Sequence, residues 1–447
     1  MIPSDTIVAS ATAPGRGAIS IIRLSGPLSL QIAKILCGKQ LKPRIATFGS
    51  VTFNTETIDT GIWIYFAAPH SFTGEDTVEF QGHGGPLVVQ AILRVTTELG
   101  ARLADPGEFS QRAFLNGKID LTQAEAISDL INASSLSALK AANNSLKGEF
   151  ANSINAIVTE LVVLRTQLEA HIDFPDEDIE PQDTRAFSAA INHIKRKLNE
   201  LLISAHDGAK LNQSAEIVLI GEPNAGKSSL LNSLAKEPLA IVTNIPGTTR
   251  DLVRYDLLID GLEIRVTDTA GIRSTNDIIE TEGINRAIKA IETADLVLCL
   301  FDERHQLITD DTIQKLVGNT TNTTLGLVST KIDIKQKQIK NDTTYPLLGI
   351  SAKTGEGLGE FQSWLLKKLN LTTHCETPYL ARERHVNHLA LAKTYIDATD
   401  QHKLSTETID LIAEDLRLTQ NALSEITGKF TSDDLLTSIF STFCIGK

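Results

Sequence analysis

The chain has 447 residues, 42% apolar and 22% charged, a balance that excludes a disordered chain and at ~150 residues per domain suggests about three domains. Lys and Arg number 42 against 55 Asp and Glu, and the resulting net charge of −13 excludes a generic nucleic-acid coat, which needs local cationic charge. Uncharged apolar runs such as Leu296–Phe301 are too short to span a bilayer, and MIPSDTIVAS has no basic stretch before an apolar one, so a cytoplasmic protein without membrane association is expected.

Residues 1–118 alternate short apolar strands with turns. Ile19–Leu24, Ile62–Phe66 and Thr77–Phe80 read as strands, and Pro86–Leu99 reads as a helix ending at Gly100. The segment looks like a compact α+β unit. From Asp120 the period becomes helical: Thr122 and Glu125 form a capping-box pattern ahead of Ile127, Leu130 and Ile131. A second helix carries Ile154, Ile157, Val158, Leu161, Leu164, Leu168 and Ile172 at steps of three and four. The acidic, proline-interrupted DFPDEDIEPQD (173–183) breaks it, and helical patterns resume at Ala186–Ala205.

EIVLIG (216–221) is a continuous apolar run, the pattern of a strand buried on both faces of a parallel sheet. Val253–Ile259 and Leu262–Thr267 flank Asp260-Gly261, a hairpin signal. LVLCLF (296–301), TLGLVS (324–329) and PLLGIS (346–351) follow, then a helix near Glu360–Leu369. After Pro378 the chain is helical again, as at Asp410–Leu423. Helical sequence on both sides of a strand–helix alternation points to an α/β unit inserted into a helical domain. The cysteines Cys37, Cys299, Cys375 and Cys444 lack metal-ligand spacing and read as reduced thiols.

Chemistry enters at Gly221-Glu222-Pro223-Asn224-Ala225-Gly226-Lys227-Ser228, a G-x-x-x-x-G-K-S loop between a strand and a helix that begins at Ser229. Glycines let backbone N–H groups curl round phosphates, Lys227 reaches the terminal phosphates, and the Ser228 hydroxyl suits Mg²⁺. Gly247-Thr248-Thr249-Arg250-Asp251 offers a threonine to complete the Mg²⁺ shell. Asp268-Thr269-Ala270-Gly271 ends a strand, bringing Asp268 toward the metal and the Gly271 N–H toward the γ-phosphate. Thr330-Lys331-Ile332-Asp333 ends another, and a carboxylate there accepts from guanine N1–H and its 2-amino group, which adenine does not offer. Ser351-Ala352-Lys353 follows the last strand, where backbone can meet the guanine carbonyl. Position 330 is Thr where most such proteins carry Asn; a hydroxyl takes over part of the amide's role. Where Ras-like switches place a water-orienting Gln, this chain has Ile272, leaving Asp277, Glu280 and Glu282 as nearby carboxylates and Arg250 as either a cationic finger or a structural residue.

GEPNAGKSSLLNSL, IVTNIPGTTRD and DTAGIR, together with TIVASATAPGRG, QGHGGP and the terminal FCIGK, resemble the MnmE (TrmE) family of tRNA modification GTPases over essentially the whole chain. The resemblance implies a multidomain α/β protein. By that resemblance, residues 1–118 are expected to form an α+β domain that binds tetrahydrofolate and dimerises, and residues 119–212 and 373–447 a helical domain with a C-terminal Cys tail. Residues 213–372 are expected to form an inserted P-loop, Ras-like G domain with a doubly wound, mostly parallel sheet. It implies a homodimer that joins the flavin protein MnmG (GidA) in a heterotetramer. By the resemblance, the pair is expected to add an aminomethyl- or carboxymethylaminomethyl-type group to the wobble uridine of tRNA, using 5-formyl- or 5,10-methylene-tetrahydrofolate, with GTP hydrolysis activated by K⁺.

Position by position, the resemblance assigns K⁺ to Asn224, Thr243, Ile245 and Thr248, and Mg²⁺ to Ser228 and Thr249. The wider GTP contact set comprises Ala225, Gly226, Lys227, Ser229, Asn244, Pro246, Gly247, Asp268, Thr269, Ala270, Gly271, Thr330, Lys331, Asp333, Ser351, Ala352 and Lys353. Glu280 matches a water-orienting carboxylate, Arg23, Glu79, Lys118 and Lys447 match folate contacts, and Cys444 matches a cysteine needed for modification. The main alternative is a ribosome-assembly GTPase with a KH module, since Gly82-His83-Gly84-Gly85 fits G-x-x-G, although a strand precedes it and the loop lacks a basic residue. A dynamin-like membrane GTPase would need a basic amphipathic helix, and an esterase would need a G-x-S-x-G elbow; neither is present. His83 then reads as a turn or core histidine.

Overall fold

The computed structural model describes residues 5–133, 135–173, 181–211, 215–221, 224–234, 253–259, 262–268, 289–302, 324–334, 347–369, 378–402, 408–429 and 433–446. It divides into two compact units, one made of Met1–Asn132, Ala142–Ile203 and Glu383–Lys447, the other of Ala133–Ala141 and Ser204–Arg382.

The first unit opens with a six-stranded sheet of β1 (Ile7–Ser10), β2 (Gly17–Ser25), β3 (Thr47–Phe53), β4 (Glu56–Phe66), β5 (Thr77–Gly84) and β6 (Arg102–Leu103), in the order β3-β4-β5-β2-β1-β6. All neighbours are antiparallel except β1 and β6. Alternation sends Ile22, Leu24, Trp63, Val78 and Phe80 to one face, where they are buried with Ile32 and Leu36 of α1 (Ser29–Cys37) and Ile92 and Val95 of α2 (Pro86–Glu98). Each such side chain contributes about 1.5–3 kcal/mol on burial. Pro86 at the first helical position and Gly100 (φ 102) just past the end bound α2 as its sequence suggests. The turn between β3 and β4 uses Asn54 (φ 49) and Thr55 (φ 70), both left-handed without a glycine, so the hairpin carries no Asn-Gly or Asp-Gly signal.

α3 (Glu108–Leu115) leads to the helices α4 (Leu121–Asn132), α5 (Leu136–Leu146), α6 (Glu149–Asp173) and α7 (Pro181–Leu211). The capping box expected at Thr122 and Glu125 is formed instead by Asp120 and Gln123. The Asp120 carboxylate accepts from the Gln123 N–H at 3.0 Å, and the Gln123 side-chain oxygen accepts from the Asp120 N–H at 3.0 Å. Glu125 is thereby released to the interior, 1% exposed. It accepts from Arg384 Nε and Nη2, both at 2.7 Å, and lies 2.8 Å from His385 Nε2. Arg384 and His385 open a later helix, which is α10 (Glu383–Ala398) in chain order and precedes α11 (Ile409–Thr427) and α12 (Asp433–Ser441). Arg384 also donates to the Ile426 carbonyl of α11, so one carboxylate ties α4, α10 and α11.

The second unit is a sheet of β7 (Ala215–Gly221), β8 (Val253–Ile259), β9 (Leu262–Asp268), β10 (Leu296–Asp302), β11 (Thr324–Thr330) and β12 (Leu347–Ile350), ordered β12-β11-β10-β7-β9-β8. Every pairing is parallel except β8–β9. Ile217 and Leu219 join one apolar cluster with Leu230 of α8 (Lys227–Leu234) and Phe361 of α9 (Leu358–Lys368), while Val218 and Ile220 join another with Ile291. Both faces of β7 are covered, which is why its sequence is apolar without alternation. The inserted P-loop α/β unit and the helical sequence around it thus have the expected fold class.

Burial alone would raise the Glu125 carboxyl pKa, but the His385 ring and the Arg384 guanidinium outweigh it and hold it well below the usual carboxylate range. Its stabilisation is therefore present above the unfolded Glu value of about 4.3 and is lost as pH falls below that value. Glu125→Ala is expected to cost about 3–5 kcal/mol by removing the buried carboxylate that Arg384 and His385 share, read as a lowered melting temperature at pH 7. The gap to wild type should narrow as pH is lowered below about 4.3.

Candidate functional site

β7 ends at Gly221, where a Cβ would collide with the Leu300 carbonyl, so only glycine lets the chain leave the sheet against β10. Asn224 (φ 68) and Gly226 (φ 91) are left-handed, curling the loop into α8. Lys227 is buried and donates to the Gly221 carbonyl. Burial pushes its ammonium pKa below the ordinary value, against the pull of the Asp268 carboxylate buried at the end of β9. A cation held out of water at a loop of backbone N–H groups favours a polyanion. The exposed Ser228 hydroxyl and the Asp268 carboxylate are hard oxygen donors, and this donor set suits Mg²⁺.

The end of β11 is fastened to this loop. The Thr330 hydroxyl reaches the Ala225 carbonyl at 2.8 Å and the Phe301 carbonyl at 3.1 Å. Lys331 Nζ donates to the Asn224 carbonyl at 2.8 Å and to Asp302 Oδ2 at 3.0 Å. Asp333 accepts from the Ser351 hydroxyl at 2.7 Å, and Ser351 in turn accepts from the Thr354 N–H at 3.2 Å. The Ala352 carbonyl accepts from Ser233 of α8 at 2.8 Å, and Lys353 is exposed. Asn224–Ser229, Asp268, Thr330–Asp333 and Ser351–Lys353 therefore gather at the carboxyl ends of β7, β9, β11 and β12, where open α/β sheets bind ligands. Asp302, which anchors Lys331, was not singled out in the sequence; a lone acid closing the apolar run LVLCLF is its signal. Thr243, Asn244, Ile245, Pro246, Gly247, Thr248, Thr249 and Arg250 lie outside the described residues, as do Thr269, Ala270, Gly271, Ile272, Asp277, Glu280, Glu282, Cys375 and Lys447.

In the first unit Arg23 of β2 and Glu79 of β5 are direct cross-strand partners, joined at 2.8 Å. The rings of Phe72 and Phe109 lie 5.9 and 5.7 Å from the guanidinium carbon. Lys118 Nζ donates to the Pro69 carbonyl at 2.9 Å, on the loop that carries Phe72. A cation, a carboxylate and the exposed face of Phe72 suit a flat heteroaromatic ligand with N–H donors, while the fully buried Phe109 supports Arg23 from the core. Sequence reasoning missed both aromatics; the signal for Phe72 is a lone aromatic in the polar run His70–Asp76, and its ring is 38% exposed. Arg112, 1% exposed, donates to Asp5, Glu75 and Glu108, and Glu75 also accepts from Ser25 at 2.7 Å, which fixes this loop from below.

The C-terminal tail reaches the same sheet. The Cys444 carbonyl accepts from the Gly107 N–H at 3.4 Å, two residues before Phe109. Gly446 (φ 96) lies so close to β1 that a Cβ would collide with the Ser10 carbonyl. The Cys444 thiol is exposed. His83, expected in a turn or the core, lies on β5 with a 72% exposed ring whose Nδ1 is 2.7 Å from Asp59. Gly82 has no side chain to block the Asp59 carboxylate, so the G-x-x-G string serves strand packing. Among the described residues, no helix is long and apolar enough to cross a membrane.

A glycine-lined phosphate loop with a buried lysine, set beside T-K-x-D and S-A-K strand ends on a mostly parallel sheet, defines a P-loop module of the GTPase kind. The MnmE helical domain family model matches residues 121–444, and that of the GTP-binding protein TrmE N-terminus matches residues 6–118. A tRNA modification GTPase MnmE of Neisseria meningitidis serogroup A is 45% identical over 451 residues, covering 99% of each chain. Another, of Saccharophagus degradans, is 46% identical over 452 residues at the same coverage. Among solved structures, the G domain of the T. maritima FeoB iron transporter is 25% identical, covers 35% of this chain and 99% of that one, and has a TM-score of 0.28. The chain belongs to the MnmE family of tRNA modification GTPases.

Gly446→Ala is expected to weaken the tail's seat on β1 by roughly 1–3 kcal/mol, because the new Cβ meets the Ser10 carbonyl at a left-handed φ. Faster amide hydrogen exchange at residues 442–446 with an unchanged melting temperature is the outcome that checks it.

Proposed function

We propose that this chain is a K⁺-activated GTP hydrolase that installs an aminomethyl- or carboxymethylaminomethyl-type group at carbon 5 of the wobble uridine of certain tRNAs. It works in the cytoplasm with a flavin-dependent partner of the MnmG (GidA) kind and takes the carbon from a tetrahydrofolate one-carbon unit. The observation that carries this reading is the seating of the Cys444 tail on the sheet that bears Arg23 and Glu79, in a chain that also holds the phosphate loop. A one-carbon donor site and a thiol needed for modification are then neighbours.

The proposed division is a folate-binding and dimerising domain at 1–118, a helical domain at 119–212 and 373–447, and a G domain at 213–372. In the G domain Lys227 holds the terminal phosphates, Ser228 and Thr249 hold Mg²⁺, and Asp333 reads guanine N1–H and the 2-amino group. Ile272 cannot orient water, and Glu280 takes that role. Asn224, Thr243, Ile245 and Thr248 hold K⁺, which when bound offsets charge developing on the phosphates as an arginine would. Asn224 supports this with an exposed side chain on left-handed backbone beside the phosphate loop. Pro246 removes one N–H from the ion loop but keeps its carbonyl. In the N-terminal domain Glu79 accepts from pterin N–H groups, while Arg23, Lys118 and Lys447 face the ligand's carboxylates. Two chains pair through their N-terminal domains and join the flavin partner as a heterotetramer.

The deciding experiment is mass spectrometry of tRNA nucleosides from cells lacking this protein: loss of the modified wobble uridine is expected, and its persistence would refute the proposal. GTP hydrolysis should be at least about tenfold faster in K⁺ than in Na⁺; equal rates would remove the ion's role. Glu280→Ala should keep nucleotide affinity while turnover falls by about 100-fold or more, read by single-turnover hydrolysis beside a binding titration. Cys444→Ser should fold and hydrolyse GTP normally yet leave wobble uridine unmodified when reconstituted with the partner and tRNA.

A further inference from the structure

Thr330 stands at the end of β11, between the phosphate loop and Asp333. Its side chain is buried, and its hydroxyl lies 2.8 Å from the Ala225 carbonyl and 3.1 Å from the Phe301 carbonyl. A threonine hydroxyl has one hydrogen, and both neighbours only accept. That hydrogen is therefore committed to backbone, and the remaining faces of the side chain are methyl and Cβ, packed 3.3–3.4 Å from where a Gly226 Cβ would stand. Guanine offers two kinds of edge. N1–H and the 2-amino group donate, and Asp333 accepts from them in the reading above. N7, on the opposite edge, is an acceptor and needs a donor. An asparagine at 330 would have two amide hydrogens, one to tie the phosphate loop and one to spare for the base; threonine has none to spare. Lys331 commits two of its three ammonium hydrogens to the Asn224 carbonyl and Asp302, which holds the ammonium against the phosphate loop and the end of β10.

We infer that Thr330 is a positioning residue that braces the phosphate loop without bonding the base, so that this G domain recognises guanine through its Watson–Crick edge and is indifferent to N7. This rests on the guanine-nucleotide reading of the site and narrows it to one edge of the ring.

The test is a titration of the full-length protein with GTP, 7-deaza-GTP, in which C–H replaces N7, and ATP. Wild type should bind GTP and 7-deaza-GTP within about twofold and ATP at least 100-fold more weakly. Thr330→Asn should restore a preference for GTP over 7-deaza-GTP of roughly tenfold. Thr330→Ala should weaken both guanine nucleotides equally, and Thr330→Ser should restore both, as expected of a brace and not of a base contact. A tenfold preference of wild type for GTP over 7-deaza-GTP, with ATP still rejected, would overturn this inference and leave the guanine site standing. Binding of ATP as tight as that of GTP would overturn both.

Discussion

Two carbonyl oxygens of the phosphate loop, those of Asn224 and Ala225, are gripped from the end of β11 by Lys331 and Thr330. The nucleotide site depends on this grip. A loop that curls backbone N–H groups inward turns carbonyls outward, and the buried Ala225 carbonyl would cost about 1–3 kcal/mol if left unpaired, whereas that of Asn224 is exposed. Neighbouring strand ends answer that need with a hydroxyl and an ammonium, so the segment that satisfies the loop is the one that carries Asp333. The phosphate end and the base end of the site are thus positioned by the same few bonds. Asp302 completes the arrangement by pairing with Lys331 at the end of β10.

The first unit solves a comparable problem with buried charge. Arg112 is almost fully buried among Asp5, Glu75 and Glu108, and Glu125 is almost fully buried against Arg384 and His385. Such clusters are demanding, because desolvation is repaid only when every partner is in place. They join residues far apart in the chain, Glu125 to Arg384 and Arg112 to Asp5, so they form only when distant segments have folded together. Arg112 also fixes the loop of Glu75, next to the aromatic Phe72 that faces Arg23. The buried ion cluster thus holds the loop that sets Phe72 over Arg23.

Thr330 shows how a small departure from a common motif acquires meaning only in three dimensions. In the sequence it is an Asn-to-Thr change whose effect on base recognition is open. In the structure its single hydroxyl hydrogen is committed to carbonyls of the phosphate loop and of β10, and a question about residue type becomes a count of donors.

What the sequence determined by itself is whatever local pattern encodes. The unbroken apolar run of β7 already requires a sheet covered on both faces, the G-x-x-x-x-G-K-S loop already requires phosphate, and the Pro86 and Gly100 limits of α2 follow from backbone restriction alone. The β3–β4 hairpin escaped because Asn54 and Thr55 adopt left-handed backbone without glycine. The cap at Asp120 and Gln123 escaped because Thr122 and Glu125 offer the same spacing, and only burial of Glu125 against Arg384 decides between them. Phe72 and Phe109 escaped for a similar reason, since their meeting over Arg23 joins segments 37 residues apart, which no periodicity records. Tertiary structure alone decided which charges are buried, which aromatics share a cation and where the C-terminal tail is seated, because each is a contact between residues distant in sequence, and such contacts exist only once the chain has closed on itself.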